Sequence, residues 1–502
     1  MLKFKNISLV VFITLFLFFY YFKYPINENV QVFFTLGKYI DDCESNLYFC
    51  LKENHELKPI IGKLTYYLFF KATIVFSDWL NKDQFVYFAQ AVYSILSIIC
   101  FYFFSAKINF NDKEKFSFFL FLISGYFFVG KNIFMEYEHL SVPLSLISIY
   151  FFSRNKIFFY IISAFILALI SGFKGITSSY SIMTVIFCMI YFDFDIKKKI
   201  TFLIFFFILN FIVFLISIED LIRAKDIQQL ETDSFNYRII LSKIFPIDGF
   251  YKYILANSPI LFIGILEVLR NLILRFNFFK SNLTFYLLIL LSLTVVIFQR
   301  GAVYHYYVFF YFYTIFLLLF VDRKDIKKIL NRSIFFTIII YLISNSSLVF
   351  NDYIINKNYN LQKIHKEVFE SEKKVFEKIS SILNNEKQLL YLSDGTPNFY
   401  LTQSSYCKNW VALGLARFGK DTKKSRVTES KIKNFNNQYY KLEKQCVENY
   451  IGNYILLQKN WIEIDSLSNI TKNYFIHSSH KSKYNEFILF KKKKYDNKQY
   501  KS

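Results

Sequence analysis

The sequence is poor in the residues that punctuate soluble folds and build metal sites. Only 13 glycines and 6 prolines are spread over 502 residues. Its six cysteines, Cys43, Cys50, Cys100, Cys188, Cys407 and Cys446, contain no C-x-x-C pair and no cysteine/histidine spacing of the zinc type. No glycine-rich phosphate loop occurs, since DGTPN at 394–398 reads only as a turn, so nothing points to a nucleotide substrate. No small-residue cleavage site follows the apolar stretch after MLKFKN, so that stretch reads as an uncleaved first span.

What is present is apolar and aromatic. Hydrophobic residues make up 54% of the chain and aromatic ones 21%, too much for a soluble enzyme or a disordered chain of this length. Lys, Asn, Ile, Phe and Tyr fill the positions where choice looks free, so part of the +22 net charge reflects base composition. Basic residues collect at the ends of apolar runs and in the C-terminal tail, not in an aromatic-lined groove, so no nucleic-acid partner is expected.

A span of bilayer needs about 20 apolar residues, fewer where the ends snorkel. Eleven runs qualify: 7–24, 83–105, 116–134, 138–153, 157–172, 176–192, 200–218, 256–276, 284–299, 303–321 and 334–350. Lys3 and Lys5 place the N-terminus in the cytoplasm by the positive-inside rule. Alternation then puts all five later basic loops on that side: Lys107 to Lys115, Arg154 to Lys156, Lys197 to Lys199, Lys280, and Arg323 to Lys328. The agreement requires that 59–76, PIIGKLTYYLFFKATIVF, not be a span. It is expected to lie on or dip into the outer face of the bilayer as an amphipathic segment, its Lys63 and Lys71 reaching water. The outer loops are then 25–82, 135–137, 173–175, 219–255 and 300–302, with everything after 350 also outside.

That face gathers ionisable groups. Asp41 and Asp42 of GKYIDDCESNLYFC, His55, Lys58, Glu136 and Glu138 of MEYEHLSVP, Lys174 of GFKG, and Arg300 and His305 of QRGAVYHYY all fall there. A charge at a span end is ordinarily an interface anchor, which is the reading for Lys131 and Asp78, and a lone histidine there is ordinarily a packing residue. Carboxylates and cations together suit something else: a carboxylate takes the proton of a hydroxyl while positive groups hold a phosphate leaving group. A sugar on a polyprenyl phosphate would present its reactive carbon at that level.

In this respect the sequence resembles the GT-C glycosyltransferases, in the branch of protein O-mannosyltransferases and aminoarabinose transferases. GKYIDD at 37–42 with KPIIGKLTYYLFF at 58–70, MEYEHLSVPLSLISIYF at 135–151, GFKG at 172–175 and QRGAVYHYYVFFYF at 299–312 follow that class's order over residues 1–350. The resemblance implies Asp41 as general base, with Asp42 as its alternate. It implies Glu138, or Glu136, as a holder of sugar or acceptor, and Lys174, Arg300 and His305 as the phosphate cradle. Tyr39, His55, Lys58 and Tyr306 complete the implied substrate-binding set. The implied partners are a polyprenyl-phosphate-linked sugar, a cell-envelope acceptor and the lipid bilayer. The expected location is the inner (cytoplasmic) membrane, multi-pass. No cofactor is required, although a divalent cation is compatible with Asp41, Asp42, Glu138 and His55 standing together. The insertion CESNLYFCLKENHEL departs from the class, and Cys43 and Cys50 could close it by a disulfide; Cys407 and Cys446 are a second pair of unknown state.

Two other readings compete. A polysaccharide polymerase or ligase would use arginine-rich outer loops, whereas the first outer loop here is acidic. A transporter or flippase would show internal repeats and broken mid-membrane helices. The expected architecture is an all-α polytopic membrane domain, 1–350, with a small α/β extracytoplasmic domain, 351–502. The latter holds 27 Lys plus Arg against 15 Asp plus Glu. Helices are expected at 361–384 and 431–449, with strands at 388–394, 453–459 and 486–492.

Overall fold

The structure is a computed structural model. It describes residues 36–37, 40–41, 46–53, 59–75, 82–108, 110–129, 135–231, 308–309, 311–313, 315–316, 319, 371–384, 386, 388–392, 404–405, 447–458, 470–482 and 486–493. The expected spans 7–24, 256–276, 284–299 and 334–350 lie outside the described residues.

Eight helices are described in the first half: α1 (Leu47–Glu53), α2 (Ile60–Ile74), α3 (Lys82–Lys107), α4 (Asp112–Val129), α5 (Tyr137–Phe152), α6 (Ile157–Phe173), α7 (Ser178–Tyr191) and α8 (Ile196–Glu231). Six of them, α3 to α8, fall on six expected spans. The described residues between 308 and 319 are also helical, on the tenth. Among the described residues, two segments, Phe88–Lys107 and Ile196–Asp220, are long and apolar enough to cross a membrane; Ile157–Phe173 and Ser178–Tyr191 are apolar but shorter. On α8 the side chains of Ile200, Ile204, Phe207, Ile208, Phe211 and Leu215 are exposed, a continuous apolar flank suited to lipid.

Local chemistry explains the helix starts. At α4, Asn111 and Glu114 form a reciprocal capping box: Glu114 N–H donates to Asn111 Oδ1 at 2.9 Å and Asn111 N–H to Glu114 Oε2 at 3.0 Å. The helix therefore starts earlier than hydropathy alone places it. At α5, Pro143 lies inside the helix and has no N–H for the His139 carbonyl. The Tyr126 hydroxyl donates to that carbonyl instead, at 3.1 Å. One expected loop is in part helix: α8 continues through 219–231, where the composition turns polar but keeps good helix formers.

The helices pack through aromatic rings and close backbone approaches. A Cβ on Gly62 would stand 2.7 Å from the Tyr137 ring and 3.0 Å from Phe173 O. One on Gly172 would stand 2.6 Å from Val213 and 3.1 Å from Ile61. Glycine thus lets α2 sit against α5, α6 and α8. This corrects the expectation for 59–76: α2 buries Ile60, Ile61, Lys63, Tyr66, Phe70 and Thr73 in the bundle and does not simply rest on a surface. Lys63 does not reach water. It is fully buried, and its Nζ donates to Leu51 O at 3.2 Å.

The C-terminal part is α/β, as expected. Strands β1 (Gln388–Leu392), β2 (Ser404–Ser405), β3 (Tyr454–Gln458), β4 (Tyr474–Lys481) and β5 (Glu486–Lys492) form one sheet in the order β2-β1-β3-β5-β4. The pairs β1/β2 and β1/β3 are parallel, and β3/β5 and β4/β5 antiparallel. The period-two alternation splits the apolar residues between two faces. Leu389, Leu456, Phe487 and Leu489 pack with Phe376 and Ile379 of the helical residues 371–382. Leu390, Ile455, Leu457 and Phe490 pack with Val447, Tyr450 and Ile470 on the other face.

Candidate functional site

The loops expected on the outer face meet at one end of the helical domain. The Tyr66 hydroxyl of α2 donates to Met135 O at 2.6 Å, and its ring stacks on Tyr137 with centroids 4.4 Å apart. The N-terminus of α2 has no side-chain cap of its own, because Pro59 stands at that position. Asp220 of α8 supplies one, its Oδ2 accepting the Ile60 N–H at 2.9 Å across 160 positions of sequence. Residues near 60, 135, 173 and 220 are therefore neighbours.

Two carboxylate–ammonium pairs stand along α2. Lys174 Nζ donates to Glu138 Oε1 at 2.8 Å, with the Glu138 side chain 1% exposed and Lys174 38%. Glu138 lies in the first turn of α5, where the helix dipole favours a negative charge. Lys174 is set by its turn: its N–H donates to Thr177 Oγ1 at 3.1 Å and its carbonyl accepts the Thr177 N–H at 2.9 Å. The second pair is Asp41 and Lys71, bonded through Asp41 Oδ1, to which the Tyr67 hydroxyl also donates at 3.5 Å. This contact with the Asp41 carboxylate raises the Lys71 ammonium above its usual range. From Gly62, beside the first pair, to Lys71 is nine residues, about 14 Å of helical rise. The expected site residues thus form two pairs.

His139 is a packing residue, as its position at an interface implied. Its ring stacks on Tyr126 with centroids 3.8 Å apart. Its Nε2 faces the Tyr126 carbonyl at 3.3 Å, which can only accept, so Nδ1 of the neutral ring accepts the Tyr93 hydroxyl at 2.8 Å. Glu136 is the N-cap residue of α5 and gives no side-chain cap bond. Asp42, Tyr39, His55, Lys58, Arg300, His305 and Tyr306 lie outside the described residues. Among the described residues no three His, Cys, Asp or Glu groups assemble as a metal site. Cys50 is disulfide-bonded, to a partner outside the described residues, while Cys100 and Cys188 are free. Sequence reasoning did not single out Asp220, nor the partnership of Lys71 with Asp41. A lysine in an otherwise apolar segment was the only signal for the latter.

No protein-family model and no curated protein matches the sequence. A solved structure of similar shape is the Archaeoglobus fulgidus oligosaccharyltransferase in complex with Zn and sulfate. It is 12% identical, covers 91% of this chain and 68% of that one, and superposes with a TM-score of 0.43. A likeness of this size decides neither fold nor activity.

Proposed function

We propose that this chain is an integral-membrane glycosyltransferase of GT-C type. It moves a sugar from a polyprenyl-phosphate donor to a cell-envelope acceptor on the outer face of the cytoplasmic membrane. The observation that carries the reading is the pairing of carboxylates with ammonium groups at one end of a lipid-suited helical domain, on residues matching the GT-C order. The disulfide at Cys50 supports an oxidising compartment for that end.

The chemistry is a single displacement. Asp41 takes the proton of the acceptor hydroxyl, and the acceptor oxygen bonds to the anomeric carbon. The bond from that carbon to the phosphate oxygen breaks, and the lipid phosphate leaves with the electron pair, so the anomeric centre inverts. Lys71 holds the Asp41 carboxylate in place and yields it to the incoming hydroxyl. Lys174, one-third exposed above a buried Glu138, turns to the phosphate as negative charge develops on it. Arg300 and His305 complete the cradle. The scheme draws its positive charge from side chains. A divalent cation on Asp41, Asp42 and His55 would be revealed by turnover lost to a chelator and restored by the ion.

The test is mass analysis of surface glycans and lipid A in cells lacking the protein, followed by complementation. One sugar disappears and the native chain restores it, while Asp41→Asn restores it at a rate lower by about 10²–10⁴. Full restoration by Asp41→Asn, by Asp42→Asn and by the double variant would remove the base assignment.

A further inference from the structure

Three hydroxyls on α5, which carries Glu138, and on α7, which packs against it, stand in an unusual state. Ser145 Oγ on α5, and Ser179 Oγ and Tyr180 Oη on α7, are closed to solvent, and none has a hydrogen-bond partner among the described residues. Neighbours on the same helices bond to main-chain carbonyls: Ser141 to Tyr137 O at 2.6 Å, Ser181 to Leu167 O at 2.7 Å and Thr184 to Tyr180 O at 2.7 Å. A buried hydroxyl left alone is destabilising, so a folded chain keeps a group of them for a reason.

Their placement supplies one. Glu138, Ser141 and Ser145 follow at helical spacing on one face of α5, which packs on α7. The Tyr180 ring is fixed against Phe309 and Phe312, with centroids 5.3 and 5.2 Å away. Lys174 is the member of this group that reaches solvent.

We propose that Tyr180, Ser179 and Ser145, with Glu138, form an occluded saccharide subsite that opens when Lys174 swings to the lipid phosphate. The subsite takes a polyhydroxylated ring: the Tyr180 hydroxyl donates to one ring oxygen, and Glu138, released by Lys174, accepts from a sugar hydroxyl. This rests on the donor assignment above and deepens it, because it separates the residues that read the sugar from those that hold the phosphate.

The experiment uses the full chain in detergent or nanodiscs, with farnesyl phosphate as one probe and a panel of farnesyl-phosphate hexoses and pentoses as the others. The native chain binds at least one glycosylated probe more tightly than farnesyl phosphate. Tyr180→Phe removes about tenfold of that preference and leaves affinity for farnesyl phosphate unchanged, and Ser179→Ala acts in the same direction. The unliganded Tyr180→Phe chain melts no lower than the native one, because the lost hydroxyl had no partner among the described residues, which also guards against a folding defect. Full preference retained in both variants overturns the subsite, and so does an equal loss for both probe types, as displacement of a structural water would give. A native chain that binds no farnesyl-phosphate probe rejects the donor assignment itself, and the subsite with it.

Discussion

The two ends of the helical domain treat their cations differently. At the end carrying residues 60, 138, 174 and 220, two lysines meet carboxylates, Lys174 on Glu138 and Lys71 on Asp41, while the buried Lys63 meets the Leu51 carbonyl. At the opposite end they meet rings and carbonyls. Lys107 Nζ and the Arg154 guanidinium lie 6.0 and 4.7 Å from the centre of the Tyr150 ring, and Lys199 Nζ donates to Met189 O at 2.7 Å. Phe152 gathers Tyr160, Phe192, Phe194 and Phe202 around it there. Cations on aromatic rings and helix-end carbonyls are anchors. A lysine set by its own turn onto a carboxylate that is almost fully buried is a different construction, and it is the one on which chemistry can be built.

The comparison is broken most severely at Glu138. Lys174→Met leaves that carboxylate buried without its ammonium and costs about 2 kcal/mol, below the usual figure for a fully buried pair because Lys174 is partly solvated. Lys174→Met with Glu138→Gln recovers at least half of the loss, as thermal or denaturant unfolding in detergent would show. A smaller effect is expected at Asp220. Asp220→Ala strips the cap from α2 and costs about 1 kcal/mol, read most directly as faster amide exchange at Ile60 and Ile61. At the anchor end, Arg154→Ala costs under about 1 kcal/mol and leaves turnover unchanged, since its cation–π contact is exposed.

The smallest effect lies in the C-terminal sheet. Burial, then Lys378 and His477, hold the His480 imidazole below its ordinary range. A depressed folded value means that the unfolded chain binds the proton more readily, so the contribution is present above about pH 6.5 and fades as pH falls through the folded value. His480→Asn flattens that dependence between pH 7.5 and 5.5 in a melt followed by circular dichroism.

How much of this could be read in advance depends on the range of the interaction. Helices α3 to α8 were legible because a long apolar run has few alternatives. The grouping of Glu138 with Lys174 on one face followed from counting spans, although the bond between them joins residues 36 apart and needed coordinates. Lys63 was misread because apolar periodicity says where a side chain points along a helix, not whether a neighbouring carbonyl such as Leu51 O waits for it. The end of α8 was missed because hydropathy stops near Asp220 while helix propensity does not. Strand β4, YFIHSSHK, escaped because it is an edge strand with most side chains exposed, and its polar half looks like a loop. Asp220 capping Ile60 joins positions too distant in sequence for any local pattern to reveal.

The proposed reaction requires the carboxylate-bearing end to face the compartment opposite the cytoplasm. Single cysteines placed at exposed Asn46 and exposed Lys156 report on the two ends, using a maleimide that cannot cross the bilayer and the native chain as background. The account predicts that Asn46→Cys is labelled in intact spheroplasts and Lys156→Cys only after they are permeabilised. The reverse pattern would contradict it.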